Sequence, residues 1–352
     1  MTDAWPRVWG EPCGSALIRC RPEDFQVSEE LGFELSQEGE HCFLYLQKRQ
    51  LNSLDLLQRV SALSAVPLRD IGYCGLKDRN AVTRQWLSVG MAGRVEPDWQ
   101  ALAREGDVQV LAVGRHTRKL RRGVHRANCF TLVLRALNAE QATMEQRLQL
   151  LRTAGVPNYF GEQRFGRNGS TLAQARRWMR GGRRISRSKR SLYYSALRAY
   201  VFNRMLALRV ERGEWNQVVP GDMCMLQGTR SHFRCEEVTD DIRTRAASGD
   251  IHPGLPLWGR GPTDTDAVGD LQQAVVLADC GEICAFLEAS GLELAWRPAR
   301  LLADDFYWQF CDDGTLQLEF SLGAGSYATA LLREFVQYEE GYTHSGISSE
   351  QD

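Results

Sequence analysis

A chain of 352 residues, 43% hydrophobic and 25% charged, is long enough for two domains and for a sizeable core without disulfide or metal staples. It has no run of about 18 apolar residues, which excludes a membrane-spanning helix, and the opening segment MTDAWPRVWGEPCG lacks the basic and apolar stretches of a signal peptide. Ten cysteines scattered from Cys13 to Cys311, with no C-x-x-C pair, fit reduced thiols in the cytoplasm better than disulfides or a metal centre.

Residues 17–35 read as an extended entry segment, and HCFLYLQK at 41–48 alternates like a half-buried strand. Ser53 is placed to cap a helix with apolar positions Leu54, Leu57, Val60 and Leu63. Gln85 to Val89 is strand-like, and alternation returns from Thr131 to Leu137. Asn138 is placed to cap a helix that runs to about Ala154, with Gly155 and Pro157 as its stop. Residues 191–208 carry the helical row Leu192, Ala196, Tyr200, Arg204 and Leu208, flanked by Leu197, Val201 and Met205. Gly, Pro and Asp make 250–270 a loop, and a helix follows at about 270–290. Near residue 302 strand signals resume, and a turn at Asp312, Asp313 and Gly314 precedes the alternation Leu316, Leu318, Phe320, Leu322. Gly323, Gly325 and Ser326 open a helix to about Gln337, and the last dozen residues are expected to fray. The pattern is α+β. The simplest architecture is one domain built from both chain ends, 1–154 and 302–352, with a second domain inserted at 155–301.

The net charge of −1 hides a segregation of charge. Residues 115–126, RHTRKLRRGVHR, and 176–190, RRWMRGGRRISRSKR, contain no acid, while acids collect at Glu236, Glu237, Asp240 and Asp241. Such blocks create a local positive field suited to phosphates. Asn128 and Phe130 follow the first block, and an aromatic there can stack on an unpaired base; alternation with Leu132 and Leu134 equally allows Phe130 to enter the core. The second block suits phosphate tracking or a solvated interhelix loop. Residues 155–169, GVPNYFGEQRFGRNG, have the composition of a stacking loop, with Tyr159, Phe160 and Phe165 among four glycines. No glycine spacing matches a nucleotide-binding motif, and no H-E-x-x-H, H-x-E or G-x-S-x-G string occurs, so neither a nucleotide cofactor nor a metal is expected.

The string GLKDRNAVTRQW at 75–86 brackets Asp78 with Lys77 and Arg79. An aspartate among bases should be ionised near neutral pH, and can act as nucleophile or base toward a polyanion that those bases attract. K-D-R strings are also common on solvated turns. Spacing alone leaves both readings open, and offers no paired second carboxylate of the kind a hydrolase needs.

Six ordered strings resemble the tRNA pseudouridine synthase D (TruD) family: RPEDFQVSEELGF at 21–33, GLKDRNAVTRQW at 75–86, RKLRRGVHRANCFTLVLR at 118–135, GVPNYFGEQRFGRNG at 155–169, NQVVPGD at 216–222 and GSYATALLREF at 325–335. The resemblance spans nearly the whole chain and is weakest between about 230 and 300. It implies an α+β pseudouridine synthase catalytic domain at 1–154 and 302–352, with an inserted TRUD domain at 155–301. It implies a cofactor-independent enzyme, a monomer, that converts a uridine of tRNA, at position 13 in the D-arm region, to pseudouridine, and leaves other RNAs open as substrates. It carries the catalytic aspartate onto Asp78, acting as nucleophile at C1′ or as base toward C2′ of the ribose. Arg19, a position that is lysine in some relatives, is implied as the partner of Asp78. Phe25, Lys77, Asn128, Phe130 and Tyr327, the last often Phe in relatives, are implied as further substrate-binding positions.

Overall fold

The computed structural model describes residues 5–261, 274–275 and 280–341, and its class is the expected α+β. Two compact units interleave along the chain. One takes residues 13–140, 303–325 and 336 onward; the other takes the chain up to 12, 141–302 and 326–335.

The first unit is a ten-stranded sheet with one helix. Its strands are β1 (Gly14–Ile18), β2 (Phe25–Glu30), β3 (His41–Arg49), β4 (Ile71–Tyr73), β5 (Val82–Gly90), β6 (Val108–His116), β7 (Ala127–Ala139), β8 (Asp304–Phe310), β9 (Leu316–Gly323) and β10 (Gln337–Glu340). The main path runs β8-β9-β7-β2-β5-β3-β6; β4 joins β5, and β1 joins both β7 and β10. Two pairings are parallel, β2 with β5 and β1 with β10.

Side chains alternate across a strand, and β3 shows what that does here. Cys42, Leu44 and Leu46 pack with Leu56, Leu57 and Val60 of helix α1 (Ser53–Ser64). Phe43 faces the other side, against Cys74 and Leu120. Each fully buried Leu contributes about 1.5–3 kcal/mol. The helix starts one residue earlier than the sequence suggests, since Asn52 is its N-cap without a side-chain bond. Ser53 spends its hydroxyl elsewhere, and Leu54 is exposed.

In the second unit, α2 (Gln141–Ala154), α3 (Ser170–Met179), α4 (Arg187–Glu211), α5 (Asp240–Ser248), α6 (Gly281–Ala289) and α7 (Ala328–Leu332) accompany a four-stranded sheet, Met223–Leu226, His232–Arg234, Ile251–Leu257 and Ala295–Pro298. The helix α4 is buried on more than the expected row: Tyr193, Leu197, Val201, Phe202, Met205 and Leu206 are core, whereas Leu192 is exposed. Arg209 near its end is fully buried and gripped by both carboxylate oxygens of Asp222 at 2.7 and 2.6 Å.

Four local expectations are corrected. Asn138 caps nothing, because β7 runs on to Ala139 and pairs Asn138 with Ser15. Residues 251–257 form a strand despite Pro253 and Pro256, since a ladder position whose N–H is not needed admits proline. The helix after Ser326 stops at Leu332; Phe335 and Val336 bury themselves, and Gln337 starts β10. Tyr159, Phe160 and Phe165 are core residues, so the 155–169 segment is no stacking loop. Of the helix expected at 270–290, Gly281–Ala289 is seen and much of the rest lies outside the described residues, as do nearly all of the last dozen.

By contacts the chain divides at 12/13, 140/141, 302/303, 325/326 and 335/336. Residues up to 12, helix α2 and 326–335 group with 155–302. Trp5 stacks on Tyr159, Trp9 Nε1 donates to the Gly155 carbonyl at 3.1 Å, and Arg147 of α2 donates to the Glu334 carbonyl at 2.7 Å.

Candidate active site

The string R-P-E-D-F folds into one turn of 3-10 helix, Pro22–Asp24, that delivers Phe25 to the start of β2. Asp24 holds this turn: its carboxylate accepts the Arg21 amide at 2.9 Å and the Arg135 guanidinium at 2.7 Å. Just before the turn, Arg19 takes the left-handed conformation at φ +54°. For a non-glycine residue this costs about 1–3 kcal/mol, and such strain clusters at functional sites.

Arg19 is buried and has three neighbours. One amino group donates to Asp78 Oδ2 at 2.8 Å, the other to Glu340 Oε1 at 2.5 Å, and its guanidinium carbon lies 4.1 Å from the Phe25 ring centroid. Behind Phe25 the aromatic stack continues: Phe130 meets it edge-on at 6.2 Å and lies flat against Phe320 at 5.2 Å. Phe130 is 9% exposed, as its alternation with Leu132 and Leu134 suggested.

Asp78 itself is open, its side chain 51% exposed. Its loop is not loose. The Lys77 amide donates to the Ser53 hydroxyl at 2.8 Å, and that hydroxyl donates in turn to Gln85 at 3.0 Å. The Asp78 carbonyl accepts from the buried Lys48 ammonium at 2.7 Å. Thus Asp78 presents only its carboxylate outward.

Lys77 points the other way. Its ammonium meets Glu29 at 2.5 Å and the Asn128 amide oxygen at 3.0 Å. The Asn128 amide nitrogen lies 3.1 Å from His125 Nε2, so Asn128 is held at both ends. Burial pushes the Glu29 carboxyl up, against the pull of Lys77, and the Trp86 amide donates to its second oxygen at 2.9 Å. Burial also pushes His125 down to about 4, with Lys77 adding to the effect, which leaves a neutral ring near pH 7.

Six of the seven anticipated residues, Asp78, Arg19, Phe25, Lys77, Asn128 and Phe130, therefore belong to one unit and form a connected pair of networks. Tyr327 belongs to the other unit, where its hydroxyl accepts from Arg164 at 2.8 Å and its ring meets Phe160 edge-on. Sequence reasoning missed Glu340, Lys48, Ser53, Glu29 and His125. Glu340, 321 residues from Arg19 in the sequence, shares that guanidinium with Asp78. Among the described residues no group of three or more His, Cys, Asp or Glu side chains is placed to hold a metal, and no helix is long and apolar enough to cross a membrane.

Of the first basic block, Arg115 pairs with Glu96, Arg126 with Glu30, and Arg122 lies over the Tyr73 ring. Arg118 and Arg121 are exposed and engage no side-chain partner among the described residues. In the second block the same holds for Arg183, Arg184, Arg187 and Arg190.

Two matches to the family model described as tRNA pseudouridine synthase D (TruD) cover residues 7–173 and 169–335. A tRNA pseudouridine synthase D from Methylococcus capsulatus is 45% identical over 96% of this chain and 95% of its own length. One from Nitrosococcus oceani is 44% identical over 94% and 92%. A crystal structure from Methanosarcina mazei, described as a candidate tRNA pseudouridine synthase D, shares the fold at a TM-score of 0.64, with 19% identity over 95% of this chain and 94% of that one. Matches that together span residues 7–335 leave one reading of the chain: it belongs to the tRNA pseudouridine synthase D (TruD) family.

Proposed function

We propose that this chain converts one uridine of tRNA, position 13 in the D-arm region, to pseudouridine, with Asp78 as its single catalytic carboxylate. The observation that carries the reading is the Asp78–Arg19 contact: an open carboxylate, fixed by a buried guanidinium at 2.8 Å, on a loop clamped from below. The names of the relatives supply the reaction and the substrate class.

The target uridine leaves its stack at a cost of about a few kcal/mol, and phosphate contacts made by the free arginines offset that cost. Asp78 then acts on the ribose. The N1–C1′ bond breaks, the uracil turns, and a C5–C1′ bond forms; C5 gives up its proton and N1 gains one. Atoms and electrons balance within the nucleoside, so the reaction draws on no external reductant or energy source.

Arg19 keeps Asp78 aimed, and Phe25 with Phe130 forms the apolar wall behind that pair. Lys77 and Asn128 brace the loop through their buried network, and Tyr327 is a further substrate-binding position. On this reading the unit of 13–140, 303–325 and 336 onward is the catalytic domain, and the other unit is the family-specific domain. The enzyme works as a monomer in the cytoplasm.

Asp78→Asn tests the assignment. The variant should bind tRNA as wild type does and release no tritium from tRNA labelled at uridine C5. Full release by the variant overturns it.

A further inference from the structure

Lys48 is the eighth residue of β3 and has no exposed surface. Its place in the strand explains why. Cys42, Leu44 and Leu46 face α1, and Lys48 continues the same row, at a position where the pattern calls for a fourth apolar side chain. A buried ammonium is costly unless a carboxylate pairs with it. No carboxylate among the described residues does so. The Nζ donates to two backbone carbonyls, Leu51 at 2.6 Å and Asp78 at 2.7 Å. Thr83 and Val108, its strand partners on β5 and β6, carry no charge.

The residue that the second bond reaches is the candidate catalytic one. Hydrogen bonds fix Asp78 from two directions, Arg19 at the carboxylate and Lys48 at the carbonyl. A carbonyl pulled inward sets the plane of its peptide, and with it the direction in which Cα throws the side chain. The ammonium also sets a positive charge beneath a residue that must stay anionic in a site open to a polyanion. Two charged groups on the same loop act on Lys48, Asp78 stabilising its charge and Lys77 opposing it.

We infer that Lys48 is a positioning residue for the reaction: its buried ammonium holds the Asp78 peptide in the orientation from which the carboxylate attacks. This rests on Asp78 being the catalytic group. Lys48 touches no substrate and works through Asp78 alone. Burial pulls its ionisation down to about 8, so the ammonium is lost within reach of ordinary assay conditions.

The test compares Lys48→Met with wild type and Asp78→Asn, on intact tRNA, after melting curves and tRNA binding establish that each variant is folded. A misplacement of about 1 Å costs on the order of a hundredfold in rate. Lys48→Met should therefore lower kcat about a hundredfold while KM for tRNA stays within about twofold. Wild-type kcat should fall as pH rises through about 8, and the residual kcat of Lys48→Met should be flat over that range. If Lys48→Met does not fold, Lys48→Gln, which carries amide N–H donors on a shorter, uncharged side chain, takes its place with the same expectation. Wild-type kcat in a folded, neutral variant overturns the inference, as does an alkaline limb that persists without Lys48. An active Asp78→Asn overturns the catalytic assignment instead, so the two failures are told apart.

Discussion

Asp78 and Glu340 are bound by the same guanidinium: Arg19 gives one amino group to each, at 2.8 and 2.5 Å. Arg19 is therefore anchored at Glu340 and aimed at Asp78, and its stacking on Phe25 removes the remaining freedom of the fork.

Arg19→Ala should lower the single-turnover rate about a hundredfold, because the carboxylate loses its aim. Arg19→Lys keeps the charge but has no planar fork to bridge two carboxylates, and should cost about tenfold. Glu340→Gln should cost less than Arg19→Lys. An Arg19→Lys variant with wild-type rates would show that the fork is not needed.

The Lys77–Glu29 pair is buried, with Glu29 wholly inaccessible. Lys77→Met strands that carboxylate and should destabilise the protein by about 3–5 kcal/mol. Adding Glu29→Gln should recover most of the loss. Urea denaturation of the single and double variants measures both effects, and equal stability of Lys77→Met and wild type would contradict the buried pairing.

Stability should fall as the medium is acidified from about pH 6.5 toward pH 4. The His125 ring, held down at about 4 by burial, stays neutral in the folded chain while an unfolded histidine takes up its proton near 6.5. Protons thus favour the unfolded chain across this window, by up to about 3 kcal/mol from His125. His252, held down at about 3 by burial and by Arg300, adds a contribution of the same sign. Chemical denaturation of His125→Gln at pH 7 and pH 4.5 should show a smaller loss than wild type.

The free cations predict how the enzyme depends on salt. Arg118→Ala with Arg121→Ala should raise KM for tRNA about tenfold, leave kcat at saturation near the wild-type value, and reduce the slope of log Kd against log salt by about 2. Arg115→Ala should change that slope less, since Glu96 already neutralises Arg115. Titrations at several salt concentrations read both slopes.

Much of the sheet was legible because alternation is local: β3, β7 and β9 each announce their buried face within a few residues. Errors fell where tertiary context overrides local signals. Two prolines hid the strand at 251–257, and the hydroxyl of Ser53 was needed by a loop 24 residues away rather than by its helix. Around Asp78, the local string shows bases on both sides but not their directions: Lys77 turns inward to Glu29, and Arg19, from another part of the chain, makes the contact. Lys48 left a visible trace, a charge in an apolar row. Glu340 left none, because its role exists only once β10 lies beside β1.

That last pairing has a bearing on biosynthesis. β1 leaves the ribosome before its parallel partner, which is translated more than 300 residues later. A nascent chain can fold helix α1 against β3 early, yet Arg19 lacks its anchor until Glu340 emerges. The fork on Arg19 therefore closes only late in translation, and a nascent chain holds Arg19 and Asp78 with the second carboxylate of that fork still missing.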